Sequence, residues 1–295
     1  MAVTPVRFAL ITDSCCDLPR EIVDRYGIQV LPFPFTLDAE QHLDELGDTL
    51  SHADFYAAMR AGALPTTAQV PLHAYLAAFR AAAEAGVPAV FLSFSSELSG
   101  TYDTAMVARE TVLGQFPDAE ITVIDTASAS TAQALLVLEA GRLRDAGATA
   151  DEIVNFVHDA KARINGYFTL ESLEHLRRGG RISEVAATAG AMLDVRPVLK
   201  LDAHGSLVID KVVRGRKKSM RAVADTFRAR AESPESRTVV IAHADCAEDA
   251  TGLGDLLRER AEIGELLTID VGPVIGTHTG PGMLACVFWG TERDQ

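Results

Sequence analysis

The sequence predicts an α/β protein in two parts: an N-terminal parallel-sheet α/β domain over residues 1–163 and a C-terminal α+β domain over residues 164–295. Three observations carry this prediction. Short apolar runs alternate with amphipathic helical stretches through the first half, the pattern of a parallel sheet covered by helices on both faces. Residues 88–94, PAVFLSF, form a continuous apolar run of the kind found in strands buried on both sides. After about residue 165 the grammar changes: two strand-like runs, 197–201 and 207–213, flank Asp202, Ala203, His204 and Gly205, a hairpin turn.

Taken in order, residues 7–12 read as a buried strand, and Asp17 and Pro19 mark the start of a helix. Residues 29–35 form a second extended run. Over 71–85, Leu72, Tyr75, Leu76 and Phe79 recur at helical spacing. A helix begins near Gly100, followed by a strand over 121–124 and an Ala-rich helix over 129–146. Thr149 and Glu152 have the spacing of a capping box that opens another helix, with Ile153, Val157 and Ile164 along one side. The second part offers a strand at 166–170, a short helix at 171–177, an Ala-rich helix at 184–193 and, after the hairpin, a helix at 218–231. Strand 238–242, helix 247–261 and strands 266–271 and 283–289 complete the chain.

Composition narrows the function classes. The chain has 295 residues, with 27 Lys and Arg against 41 Asp and Glu, a net charge of −14 that disfavours general binding to nucleic acid or anionic membranes. Its four cysteines have no C-x-x-C spacing, so neither a zinc site nor a disulfide framework is indicated. The N-terminal apolar run is too short for a signal peptide, and no stretch reaches the roughly 18 apolar residues of a membrane span, so a cytoplasmic location is expected. There is no P-loop, no G-x-S-x-G elbow and no H-E-x-x-H, and no metal is expected. The pair Cys15 and Cys16 reads as small core residues or, less simply, as a nucleophile.

Polar groups fall in a few places. Residues 272–282, GPVIGTHTGPG, read as a stiff loop whose Thr277, His278 and Thr279 suit a small anionic group; the plainer reading is a turn before the last strand. Three clusters sit at the expected ends of first-half strands: Asp13 and Ser14; Ser93, Ser95, Ser96 and Ser99 leading into Gly100; and Asp125 with Thr126. Ligands bind at such strand ends in open α/β sheets, but Ser and Thr also cap helices there. Residues 65–71, PTTAQVP, form a second hydroxyl-rich segment, read as a stiff loop between helices. Positive charge gathers at Arg177, Arg178 and Arg181, and again at Lys211, Arg214, Arg216, Lys217, Lys218 and Arg221, as a solvated face or a docking patch.

Together, ITDSCCDLP, PTTAQVP, SFSSELSGTYDTA, LESLEHLRRGGRIS, RPVLKLDAHGSL with KVVRGRKK, and VGPVIGTHTGPG resemble, in order and across nearly the whole chain, the DegV family of bacterial fatty-acid-binding proteins. The resemblance implies two α/β domains with a long-chain fatty acid between them, no cofactor, and a separate kinase that phosphorylates the presented acid for phospholipid synthesis. It implies that Thr67, Ser99 and His278 hold the carboxyl, with Thr66, Gly100 and Thr277 beside them, and no catalytic residue. Arg181, Arg214, Arg216 and Lys217 become the candidates for phosphate or kinase docking, with membrane contact at most transient. One departure is visible: the family's TSQPS reads TAQVP, so Ala68 lacks a hydroxyl that Thr66 would have to replace. The alternative is a hydrolase or phosphotransferase working through Ser99 and His278.

Overall fold

The computed structural model describes residues 8–183 and 195–294. The helix expected over 184–193 lies outside them.

Strand β1 (Ala9–Asp13) leads into a single 3-10 turn, Ser14–Cys16, closed by Asp17 in the left-handed conformation (φ 56°). Pro19 then caps α1 (Arg20–Tyr26), which ends on Gly27. The extended run expected over 29–35 is split. β2 (Gln29–Leu31) pairs in parallel with β1, whereas β3 (Pro34–Leu37) joins a different sheet. Pro32 and Pro34 lie at the break, where neither has an N–H to continue a ladder.

β3 pairs with β4 (Glu40–Leu43), and after α2 (His52–Arg60) the chain returns as β5 (Thr66–Thr67) on the other edge of β3. The expected stiff loop at 65–71 is therefore partly a strand, its register fixed by Phe35 opposite Thr67. α3 (Leu72–Ala85), β6 (Ala89–Ser93), α4 (Thr101–Leu113) and β7 (Ile121–Asp125) follow, with every residue of β6 buried. β2, β1, β6 and β7 lie side by side in that order, all parallel. α5 (Thr131–Asp145) and α6 (Ala150–Ala160) close the first half, and the Thr149–Glu152 capping box is present at the start of α6.

The second half builds a six-stranded sheet. After β8 (Ile164–Thr169) and the short α7 (Glu174–Arg178), β9 (Val195–Leu201) and β10 (Leu207–Arg214) form the expected hairpin. α8 (Arg216–Arg230), β11 (Thr238–His243), α9 (Ala247–Arg258) and β12 (Glu265–Asp270) follow. The segment after β12, expected as a loop, is a helix, α10 (Pro273–Thr279), before the final β13 (Leu284–Trp289). Strand order is β10-β9-β8-β13-β11-β12, with only β11 and β12 parallel.

The sheets share a core. α5 is buried around most of its circumference, as a helix must be when it has apolar neighbours on every side. It touches β1 of the first sheet and β8, β11 and β13 of the second. One hydrophobic cluster runs from Ile11 and Phe91 to Phe168, Leu199 and Val240. Two polar clasps add to it: Ser95 donates to the hairpin carbonyl of Gly205 at 3.0 Å, and Arg293 donates to Ala127 O at 2.8 Å and Lys161 O at 3.0 Å.

Candidate functional site

Between the halves lies a cavity of about 850 Å³, its open mouth included. Its wall is mainly apolar, with Phe33, Phe94 and Leu98 from the first half and Phe168, Leu201 and Val287 from the second. Such a wall selects an oil-like occupant.

At one place on this wall the polar side chains meet. Thr67, held on β5 by its pairing with Phe35, places Oγ1 2.8 Å from Nε2 of His278 in the last turn of α10. The other ring nitrogen, Nδ1, is buried with no hydrogen-bond partner among the described residues. Gly179, just after α7, packs against it, and a Cβ there would collide with Nδ1. Two residues on, Arg181 lines the cavity and donates from Nε to Leu98 O at 3.2 Å and from its guanidinium to Gly179 O. Leu98 is followed by Ser99, which also lines the cavity; its Oγ lies 2.8 Å from Thr101 Oγ1 and accepts from Thr101 N. Thr67, His278, Arg181 and Ser99 thus form one connected rim.

The electrostatics of this rim are set by burial and by cations. Desolvation, followed by the nearby positive charges of Arg181 and Arg178 and by His175, lowers the His278 pKa to about 4, so the imidazole is neutral at pH 7. In its resting state His278 therefore offers hydrogen bonds and no charge. Arg181 has no carboxylate partner among the described residues and is the only charged side chain among the lining residues. It supplies the positive field.

Other expected residues are placed elsewhere. Thr66 and Gly100 are exposed and do not line the cavity; Gly100 lets Gln69 approach the start of α4, where Gln69 donates to Thr104 at 3.0 Å. Thr277 is turned to its own helix, donating to Pro273 O at 2.7 Å, while Thr279 is on the cavity wall. Of the three strand-end clusters only Ser99 reaches the cavity. Asp13 accepts from Phe94 N, Ser14 from Phe33 N, and Thr126 donates to Ser93 O, so these groups stitch loops together. Arg216 is paired with Asp249 at 2.8 Å, whereas Arg214 and Lys217 are exposed. The sequence reading missed Cys15, Gln69, Ser130 and Thr131 on the wall. The run Ser128 to Thr131 was a visible signal, absorbed into an Ala-rich helix.

Ser99 is bonded to Thr101 and His278 to Thr67, and no carboxylate orients the imidazole, so the described residues hold no Ser–His dyad. Burial pushes the thiols of Cys15 and Cys16 well up, which keeps them protonated. Among the described residues no group of three or more His, Cys, Asp or Glu is placed to hold a metal, and no helix is long and apolar enough to cross a membrane.

The family profile described as "Uncharacterised protein, DegV family" matches residues 7–290. This chain belongs to the DegV family. It is 38% identical over 288 residues to a DegV domain-containing protein of Clostridium perfringens, covering 98% of this chain and 99% of that one. A DegV family protein from Thermus thermophilus, described by its fatty acid binding, matches this DegV fold with a TM-score of 0.87 at 29% identity, over 96% of this chain and 99% of that one. A fatty acid binding DegV family protein from Streptococcus agalactiae gives a TM-score of 0.84 at 27% identity, over 97% and 100%.

Proposed function

We propose that this chain binds a long-chain fatty acid between an N-terminal domain, residues 1–163, and a C-terminal domain, residues 164–295, and presents it to a partner kinase. The observation that carries the reading is a mainly apolar cavity with one connected polar rim, Thr67, His278, Arg181 and Ser99. The similarity to fatty acid binding DegV proteins supports it. A sixteen-carbon tail gains about 0.8 kcal/mol per buried CH₂, on the order of 12 kcal/mol before ordering costs. A buried carboxylate costs several kcal/mol unless hydrogen bonds and charge compensate it. With the ring proton on Nε2, neutral His278 donates to Thr67 and frees the Thr67 hydroxyl to donate to the carboxylate. Ser99 offers a second hydroxyl and Arg181 the opposite charge.

This reading moves Arg181 from docking to the head group and leaves Arg214 and Lys217 as the exposed cations for an acidic kinase surface. It needs no cofactor and no catalytic residue, and it places the chain in the cytoplasm with membrane contact no more than transient. Delipidated protein carrying Thr67→Val or His278→Ala should bind palmitate about tenfold more weakly in a fluorescent displacement titration. Unchanged affinity in both removes the rim from the account. Acyl phosphate production by a fatty acid kinase should drop with Arg214→Ala, palmitate affinity staying the same; full production removes Arg214 from the docking surface.

A further inference from the structure

Thr131 opens α5 on the wall of the cavity and is 1% exposed, yet its hydroxyl has no hydrogen-bond partner among the described residues. Six other helical threonines, Thr104, Thr111, Thr226, Thr251, Thr277 and Thr279, donate to the carbonyl four residues earlier. That is the usual outlet for such a hydroxyl. For Thr131 the corresponding carbonyl is that of Ala127, which sits at φ 48° and accepts from Arg293 at 2.8 Å. Between them Ser130, at φ 52°, breaks the helical path, and its own hydroxyl donates to Asp17 Oδ2 at 2.5 Å rather than capping α5. The local outlet is closed. What remains is a buried hydroxyl on an apolar wall, a costly arrangement unless an occupant pairs with it.

None of the side-chain hydrogen bonds made by Thr67, His278, Arg181 and Ser99 involves Thr131. Thr131 is thus a polar point of the cavity wall outside that set of hydrogen bonds, and the one threonine hydroxyl of the wall without a partner among the described residues. A saturated tail has nothing to offer it. We propose that the cavity accepts a fatty acid carrying a hydroxyl on its acyl chain, and that Thr131 is the residue that recognises this group. The inference rests on the fatty-acid reading and narrows its substrate class. A ligand hydroxyl paired with Thr131 satisfies two buried groups at once. The same hydroxyl placed along the tail against the apolar part of the wall is buried unpaired, so the preference is positional.

The test is a competition titration of delipidated protein with stearate and a series of hydroxystearates differing only in hydroxyl position. One isomer should bind at least roughly tenfold more tightly than the others and no more weakly than stearate. Thr131→Val should bring that isomer down to the others while leaving stearate within about threefold, and Thr131→Ser should keep the preference. If the isomers bind alike to the unaltered protein, or if Thr131→Val keeps the preference, the inference is overturned while fatty-acid binding stands. Failure of stearate and all hydroxystearates to bind overturns the fatty-acid reading itself. The series on the unaltered chain decides the matter even where a variant does not fold.

Discussion

His278 and Thr67 lie 211 positions apart in sequence and 2.8 Å apart in space, and the protonation of that pair is set by what surrounds it. His278 titrates near 4 in the fold against 6.5 for the free side chain, because burial and neighbouring cations disfavour its charged form. As pH falls, the unfolded chain takes up this proton first. The stability tied to neutral His278 is complete above about pH 6.5 and is lost between pH 6.5 and 4, on the order of 3 kcal/mol over the whole window. Asp13 and Asp44, raised to about 7 by burial, work in the opposite sense, losing stability as pH rises from 3.8 to about 7. Comparison with His278→Gln isolates the histidine: denaturant melts should show the variant losing less stability than the unaltered chain between pH 6.5 and 4. Equal losses would mean that His278 is charged or solvated in the fold.

At the scale of elements, α7 and α10 meet at the rim, and Gly179 is the point of closest approach to His278. Its φ of −74° suits any residue, so Gly179→Ala acts mainly by displacing the imidazole, with His175 O next nearest to the added Cβ at 3.2 Å. Palmitate affinity should fall about tenfold while stability changes by no more than about 1 kcal/mol; full affinity would show that the ring position is immaterial. The sequence made the contact's two ends visible but not the contact. Local signals did well where they are strong: the buried run of β6, the Thr149–Glu152 box and the hairpin at 202–205 were all legible. α10 was not, because seven residues between glycines, PVIGTHT, are too few to show a helical period, and Pro273 at its first position is equally a turn signal. The hydroxyls of Thr67 and Ser99 could be singled out by motif. Those of Ser130 and Thr131 depend on positive-φ residues and on Arg293 from the far end of the chain, which no local pattern encodes.

At the scale of the molecule, a helix buried between two sheets and a hydrophobic cluster drawn from both make the cavity part of the core. On the proposed reading an occupant that fills it extends that core, with its polar end at the rim of Thr67, Ser99, His278 and Arg181. The architecture expected from the sequence, a parallel-sheet α/β part followed by an α+β part, is realised as a parallel and a mixed sheet with the mostly apolar cavity lined from both. The central claim is that this interior is made for one long acyl chain with a carboxyl end. Native mass spectrometry tests it most directly. Protein purified from a bacterial host should carry one added mass equal to a long-chain fatty acid, and after delipidation should take up one equivalent of palmitate. Protein that arrives without a lipid and, once delipidated, takes up none when palmitate is added would contradict the account.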